Sequence, residues 1–359
     1  MNIGQMFEKN NFITRAAVSQ LIIGLIVISI FVIGFNLRLQ MVQQTIVDTP
    51  IRADAAEYYL YAYNLTQYGV YSRQRQFEGE KPTPDAFRTP GYSLFLLPFV
   101  EFPPTHKMVH HIVVTQAIIS TLTILVAFGF FRAFLTWPWA LGAAFMVAIS
   151  PHLVAINIYV LTESLFTFFL VLLAWAMTKF AQLKNWPLAL VIGLILGCAL
   201  LIRPTLLYFL IFLIPTLFVF FQRKKAVALT FFLLIGFLIS YGPWVVRNMV
   251  VNPTKSTLAV ATVHKGMYPN LIYNNDPKTY GFPNHADPTW AQRQDMSSVL
   301  KEIGRRFKEE PLRYIRWYSI GKLTMFFSWD MGLGHTSFFS LYHSLKIHVC
   351  YLKDGLISE

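Results

Sequence analysis

Asp54 and Glu57 stand three residues apart in the stretch IRADAAEYYLYAYNLTQYGVYS, residues 51–72, directly after a long apolar segment. An ionised carboxylate at Asp54 is what a general base needs, and a second acid one helical turn on can orient it or bind an acceptor. The same spacing is also a capping box, in which Asp at a helix start and Glu three residues later satisfy backbone N–H groups. The two roles compete for the same oxygens but do not exclude each other. Ala and Leu are frequent over 53–68, no Pro or Gly intervenes and Gly69 supplies a stop. The spacing therefore predicts a helix with Asp54, Tyr58, Tyr61, Leu65 and Tyr68 on one face.

Four more stretches place an ionisable residue where an apolar run begins or ends. They are FRTPGYSLFLLPFVEFPP (87–104) with Arg88, SPHLVAINIYVLTESLF (150–166) with Glu163, LLIRPTLLYF (200–209) with Arg203 and YGPWVVRN (241–248) with Arg247. A guanidinium stays charged at any working pH and can hold a phosphate through two parallel bonds, so Arg203 and Arg247 read as a phosphate cradle. Interfacial anchoring explains each arginine singly as well. Thr162 and Glu163 also read as a helix start, where the dipole favours a carboxylate.

These residues must be positioned by membrane helices. The chain is 55% hydrophobic and only 13% charged, with a mean hydropathy of +0.48. Apolar runs near 16–36, 108–131, 137–155, 163–181, 187–202, 205–221 and 226–246 are long enough to cross a hydrocarbon core of about 30 Å. Two less regular runs, 312–331 and 336–352, follow, with Asp330 breaking the first. The expected fold is an all-α polytopic membrane protein of eight or nine spans forming a single membrane domain over 1–359. Polar loops at 37–107 and 247–311 separate the spans, and residues 92–100, too short to cross, should lie in or re-enter the interface.

Lys9, Arg15, Arg132, Lys179, Lys184, Arg223, Lys224 and Lys225 fall in alternate connections. The positive-inside rule puts those connections in the cytoplasm and both long loops on the extracytoplasmic side. Asp54, Glu57, Arg88, Glu163, Arg203 and Arg247 then share one membrane face, which points to a common polar cavity. The net charge of +12 contains no basic run longer than Arg223–Lys225, so orientation and anionic lipid account for it and nucleic acid does not. The two cysteines, Cys198 and Cys350, make neither a disulfide framework nor a zinc site. Gly-rich phosphate loops, HExxH and GxSxG are missing from the sequence, and the sequon Asn64-Leu65-Thr66 carries no weight by itself.

Taken in order, the acid and aromatics after the first run, RTPGYSLFLLP, SPHLVAINIYVLTESLF, LIRPTLLY, GPWVVRN, NLIYNNDPKTYG and RRFKEEPLRYIRW resemble the GT-C-type membrane glycosyltransferases. The resemblance is to the group of dolichyl-phosphate-mannose protein mannosyltransferases and bacterial aminoarabinose transferases, and it covers residues 15–330. It implies a GT-C-like bundle with amphipathic interfacial helices in the first loop, set in a bacterial plasma membrane. It implies transfer of a sugar, with inversion, from a polyprenyl-phosphate carrier to an extracytoplasmic acceptor. It gives Asp54 the role of catalytic base, and Glu57, Tyr58 and Glu163 roles in binding the acceptor or orienting the base. Arg88, Arg203 and Arg247 would contact the carrier phosphate. A divalent metal at Asp54 is left open, since no adjacent pair of acids marks one, and no other cofactor is implied. The chain ends at Glu359, sooner than family members do. A flippase for lipid-linked sugars, using the same arginines, and a non-catalytic scaffold are the competing readings; a transporter would show inverted repeats and midplane breaks.

Overall fold

A computed structural model describes residues 3–75, 81–251, 257–269 and 295–327, with side chains from 18 to 324 within those ranges. The NLIYNNDPKTYG stretch, Asp330, the 336–352 run and Cys350 lie outside them. The described residues are helical and divide into two compact units. The first holds 3–59 and 90–243; the second holds 60–75, 81–89, 244–251, 257–269 and 295–327.

In the first unit, α1 (Ile3–Gln44) packs on α4 (His106–Phe131) and α5 (Trp137–Ile149), α4 packs on α7 (Glu163–Leu183), and α7 packs on α8 (Trp186–Ile202). The apolar portion of α1, Val18–Gln44, is only 11% buried in its most hydrophobic window, against 50% for α4. Hence α4 is the central helix, and α1 leaves Leu21, Leu25 and Ile28 on its outer face for lipid. The first unit also holds α9 (Phe209–Phe220) and the part of α10 (Arg223–Val251) that precedes Trp244. Leu173, Ala189, Ile192, Leu196, Leu200, Leu213, Leu229 and Leu233 form one core there, and Ile30, Ile124, Leu141 and Ala148 form another.

Four described helices, α1, α4, α7 and α10, are long and apolar enough to cross a membrane, and a fifth crossing arises if a bent pair is one span. This is an integral membrane protein. The bent pair is the expected 137–155 run, which breaks by 46° between α5 and Pro151–Ile158. Pro151 lacks an amide hydrogen and disfavours helical geometry at Ser150, whose ψ is 117°. The short helix α6 (Pro151–Ala155) and a 3₁₀ turn, Ile156–Ile158, complete the corner.

Against the expected 16–36, α1 continues to Gln44. The sequence offers Arg38 as a place to leave the membrane, yet Arg38 is fully buried inside the helix. Its Nε donates to Ser120 Oγ at 2.9 Å, and its terminal nitrogens donate to Gly34 O at 2.9 Å, Ala148 O at 2.8 Å and Val147 O at 3.2 Å. Ala148 and Val147 end α5, where carbonyls without intrahelical partners carry the negative end of the helix dipole, so peptide groups stabilise the buried guanidinium.

Helices α8 and α10 cross at a stripe of small residues, as close membrane helix pairs do. A Cβ on Gly193 would land on the Leu233 carbonyl, one on Gly236 on the Leu190 carbonyl, and one on Gly197 on Ser240 Oγ. The crossing therefore admits no side chain at those positions.

In the second unit, α11 (Leu258–Lys265) and α12 (Met296–Glu309) pack together, and α13 (Pro311–Arg316) leads through a π turn at Trp317–Gly321 into α14 (Lys322–Phe327). Asp295 caps α12 by accepting from Ser298 N at 3.1 Å, and Thr257 caps α11 by accepting from Val260 N at 3.3 Å. Such caps contribute about 1 kcal/mol each. Glu302, buried on α12, binds Arg305 at 2.6 Å and Arg306 at 2.7 Å.

Candidate functional site

The helix expected over 53–68 is present as α2 (Asp54–Tyr68), and Gly69 ends it with φ +65°, a left-handed value that Gly adopts without penalty. Asp54 is the first helical residue and lies exposed. Ala53 before it has φ +47°, which costs a residue with a Cβ about 1 kcal/mol. Such a cost recurs beside functional groups, where the backbone fixes how one side chain is presented. The buried face differs from the expected stripe: it carries Ala55, Tyr58, Tyr59, Tyr61, Ala62 and Asn64, while Tyr68 is exposed. Tyr and Ala at i and i+3 or i+4 pack inward, and the acid stays in solvent. The glycosylation sequon is not an acceptor in this fold, because Asn64 is fully buried and its Nδ2 donates to Ser72 O at 2.8 Å and Gln74 O at 2.9 Å.

Within the first unit, Tyr58, Tyr92, Glu163 and Arg203 form one linked group. The Tyr58 ring meets the edge of the Tyr92 ring at 5.0 Å between centroids and 74° between planes. Tyr92 lies in α3 (Gly91–Leu96), the short helix that the sequence assigned to the interface, and is wholly buried. Pro90 starts the turn, and Gly91 lets α3 rest on the end of α8: an added Cβ would stand 2.6 Å from the Leu201 carbonyl carbon and 2.7 Å from Ile202 N. One residue further, Pro204 stops α8 and leaves Arg203 as its C-terminal cap, the end where a cation is favoured.

Glu163 opens α7, where an anion is favoured. Helices α7 and α8 form an antiparallel hairpin closed by Lys184, φ +51°, and by Asn185, whose side chain caps α8. The start of one therefore returns beside the end of the other. The consequence is an ion pair, Arg203 Nη1 to Glu163 Oε1 at 3.1 Å, with both side chains a little over one third exposed. Thr162 Oγ1 donates to the other carboxylate oxygen, Oε2, at 3.3 Å. Burial, reinforced by the Glu163 charge and by Tyr58, holds the Tyr92 phenol well above its ordinary value, so it stays a neutral hydrogen-bond donor. Its hydroxyl donates to Gln116 Oε1, and Gln116 Nε2 donates to Tyr159 O at 2.8 Å.

In the second unit, Arg88 and Arg247 belong to one clasp. Arg247 donates to Asp85 O at 2.7 Å, Asn248 Oδ1 at 2.8 Å and Tyr71 O at 3.1 Å, with its guanidinium 5.1 Å from the Trp244 ring centre. The Asp85 carboxylate accepts from Tyr61 Oη, from Arg73 N at 2.9 Å and from Phe87 N at 3.0 Å. Tyr61 stacks on Tyr71 at 4.1 Å, and Tyr71 Oη donates to Arg88 O at 3.2 Å. Burial and the Asp85 charge raise the Tyr61 phenol far above its usual range, so it too remains a donor. Arg88 is buried here, 5% exposed. The Arg247 head thus supports loop carbonyls, a use the sequence did not reveal.

Gln116, Asn157 and Arg38 were not singled out from the sequence as candidate residues. Their signal was available: a polar side chain inside an apolar run is costly unless partnered. A 400 Å³ cavity opens at the same corner, walled by Val42, Ile46, His106, Val109, His110 and Ile158. Among the described residues no cluster of three or more His, Cys, Asp or Glu side chains suited to a metal is present.

Residues 105–246, from the residue before α4 to near the end of α10, match the family described as dolichyl-phosphate-mannose-protein mannosyltransferase. No curated protein matches the chain. The match bears out the resemblance drawn from the sequence motifs over this part of the chain, which holds SPHLVAINIYVLTESLF and LIRPTLLY.

Proposed function

We propose that this membrane protein, whose residues 105–246 match a mannosyltransferase family, is an inverting transferase moving a sugar from a polyprenyl-phosphate carrier to an acceptor hydroxyl. The observation that carries this reading is the continuity of the first unit's polar end. Helix α2, which begins at Asp54, reaches through Tyr58 to Tyr92; α3 rests on the end of α8; and Arg203 there pairs with Glu163. A carboxylate and a guanidinium on neighbouring elements are the two charges that such a displacement needs.

Asp54 takes the proton of the acceptor hydroxyl as its oxygen attacks the anomeric carbon. The bond to the phosphate oxygen breaks on the opposite face, and Arg203 neutralises the charge that builds on the departing carrier. Glu163 sets the direction of Arg203, Glu57 orients the base or binds the acceptor one turn from Asp54, and Tyr58 braces α2 against Tyr92. The acceptor is a glycan, lipid or protein hydroxyl on the extracytoplasmic face. The cationic connections at Arg132, Lys184 and Arg223–Lys225 lie at the opposite helix ends, which favours a cytoplasmic position for them in a bacterial plasma membrane.

The test is to incubate purified protein with a panel of polyprenyl-phosphate sugars and follow each carrier by mass spectrometry. Conversion of one sugar-linked carrier to bare polyprenyl phosphate is expected. A panel that keeps every sugar in place overturns the reading, and movement of an intact carrier between leaflets of a vesicle would replace it with flipping.

A further inference from the structure

Resting on that reading, we infer that Asn157 and Ser164 are positioning residues that hold the start of α7, and through it the Glu163–Arg203 pair, in register with the candidate site. The observation is a continuous buried hydrogen-bond chain across the first unit. Arg38, Ser120, Asn157 and Ser164 are 0%, 5%, 0% and 3% exposed. Arg38 Nε donates to Ser120 Oγ at 2.9 Å, and Ser120 Oγ donates to Leu153 O at 3.3 Å. Asn157 Nδ2 donates to Leu153 O at 2.6 Å, Val154 O at 3.1 Å and Ser120 Oγ at 3.4 Å. Its Oδ1 accepts from Ser164 Oγ at 2.9 Å.

Asn157 is the hub for a structural reason. Helix α6 ends at Ala155 and passes into the 3₁₀ turn Ile156–Ile158, which leaves its last carbonyls without the amide partners that a continuing α-helix would supply. The Asn157 amide turns back to satisfy two of them and presents its oxygen to the next helix. Ser164 is the neighbour of Glu163 in the first turn of α7, so its bond to Asn157 sets the azimuth of that turn. A second arm leaves from the same turn: Gln116 Nε2 reaches Asn157 O at 3.4 Å and Tyr159 O at 2.8 Å, while Gln116 Oε1 accepts from Tyr92. Two sides of the candidate site, the Tyr92 phenol and the Glu163 carboxylate, are thus referred to one 3₁₀ turn. A fully satisfied polar network in a low-dielectric interior is rigid, and removing one member leaves its partner unpaired.

The test pairs a spectroscopic readout with kinetics. In ¹⁵N-arginine-labelled protein in detergent micelles, the Arg203 Nε–H resonance is assigned by its loss in Arg203→Lys. Glu163→Gln then gives the position of that resonance with the ion pair broken. Ser164→Ala is expected to move the resonance toward the Glu163→Gln position, and Ser164→Thr, which retains a hydroxyl, to leave it near wild type. Donor KM should rise about fivefold in Ser164→Ala, the equivalent of one hydrogen bond, with kcat within about twofold. Asn157→Asp retains the acceptor oxygen and serves as the second variant if Asn157→Ala does not fold. An Arg203 resonance that is unmoved in a folded Ser164→Ala protein overturns the inference whatever the activity. Absence of turnover in wild type with every carrier overturns the proposed function instead, while the resonance still decides the positioning role.

Discussion

Glu163 and Arg203 are separated by 40 residues and two helices, yet their side chains meet at 3.1 Å because the α7–α8 hairpin returns the end of one helix to the start of the other. Each charge also sits at the helix terminus that favours it, so pairing and dipole reinforce one another. As an exposed pair in water it would contribute at most about 1 kcal/mol to stability. Its value is in holding a guanidinium in a fixed place.

Arg203→Ala is expected to raise donor KM by about ten- to a hundredfold, the loss of a charge-assisted bond to phosphate. Glu163→Gln should raise it less, and the double variant should fall short of the product of the two effects, because the residues are coupled. Steady-state kinetics on the four proteins measures the coupling, and full multiplicativity would separate the two roles.

Asp54→Asn keeps the size and shape of the first residue of α2 and removes only its charge. Transfer is expected to fall by about 10²- to 10⁴-fold with helix content and melting temperature unchanged. A folded Asn variant with substantial turnover would remove Asp54 from the base role.

The clasp makes a prediction of a different kind. Tyr61→Phe leaves Asp85 without its phenol donor and should cost about 1–3 kcal/mol of stability in the second unit. Arg247→Lys, which cannot span Asp85 O and Tyr71 O together, should raise protease sensitivity around Tyr71 and Asp85. Limited proteolysis followed by mass spectrometry reads both.

Acid should weaken the second unit through Glu302. Its bonds to Arg305 and Arg306 lower its pKa from the usual 4.5 to about 2, against an opposing effect of burial. A depressed folded-state pKa means that the stabilisation is complete above pH 4.5 and is lost as the pH falls from there toward 2. Glu302→Gln should therefore melt below wild type at neutral pH, with the gap closing as the medium is acidified through that window.

Gly193→Ala puts a methyl group on the Leu233 carbonyl and should cost about 1–3 kcal/mol by overpacking. Gly142, whose Cβ would meet nothing within 4 Å, is the control. Thermal melts in one detergent compare the two.

Much of this was legible in the residues themselves. The periodicity of apolar and polar residues gave a helical membrane protein. The acid-led helix ending at Gly69 and the break at Pro204 beside Arg203 were local, because caps, Pro and Gly act through their own backbone. Asp54, Glu163 and Arg203 stand out as candidates by type and by position at the ends of apolar runs, which is again a property of the chain alone. What the chain alone could not decide was which partner each charge takes. Arg38 reads as the end of a span, and only the carbonyls of α5, more than 100 residues away, make it a buried pin. Arg247 and Arg203 look alike in sequence, yet one closes a loop and the other faces a carboxylate. Hydrogen-bond and ion-pair partners are set by which helix ends the fold brings together, and that is a property of tertiary packing.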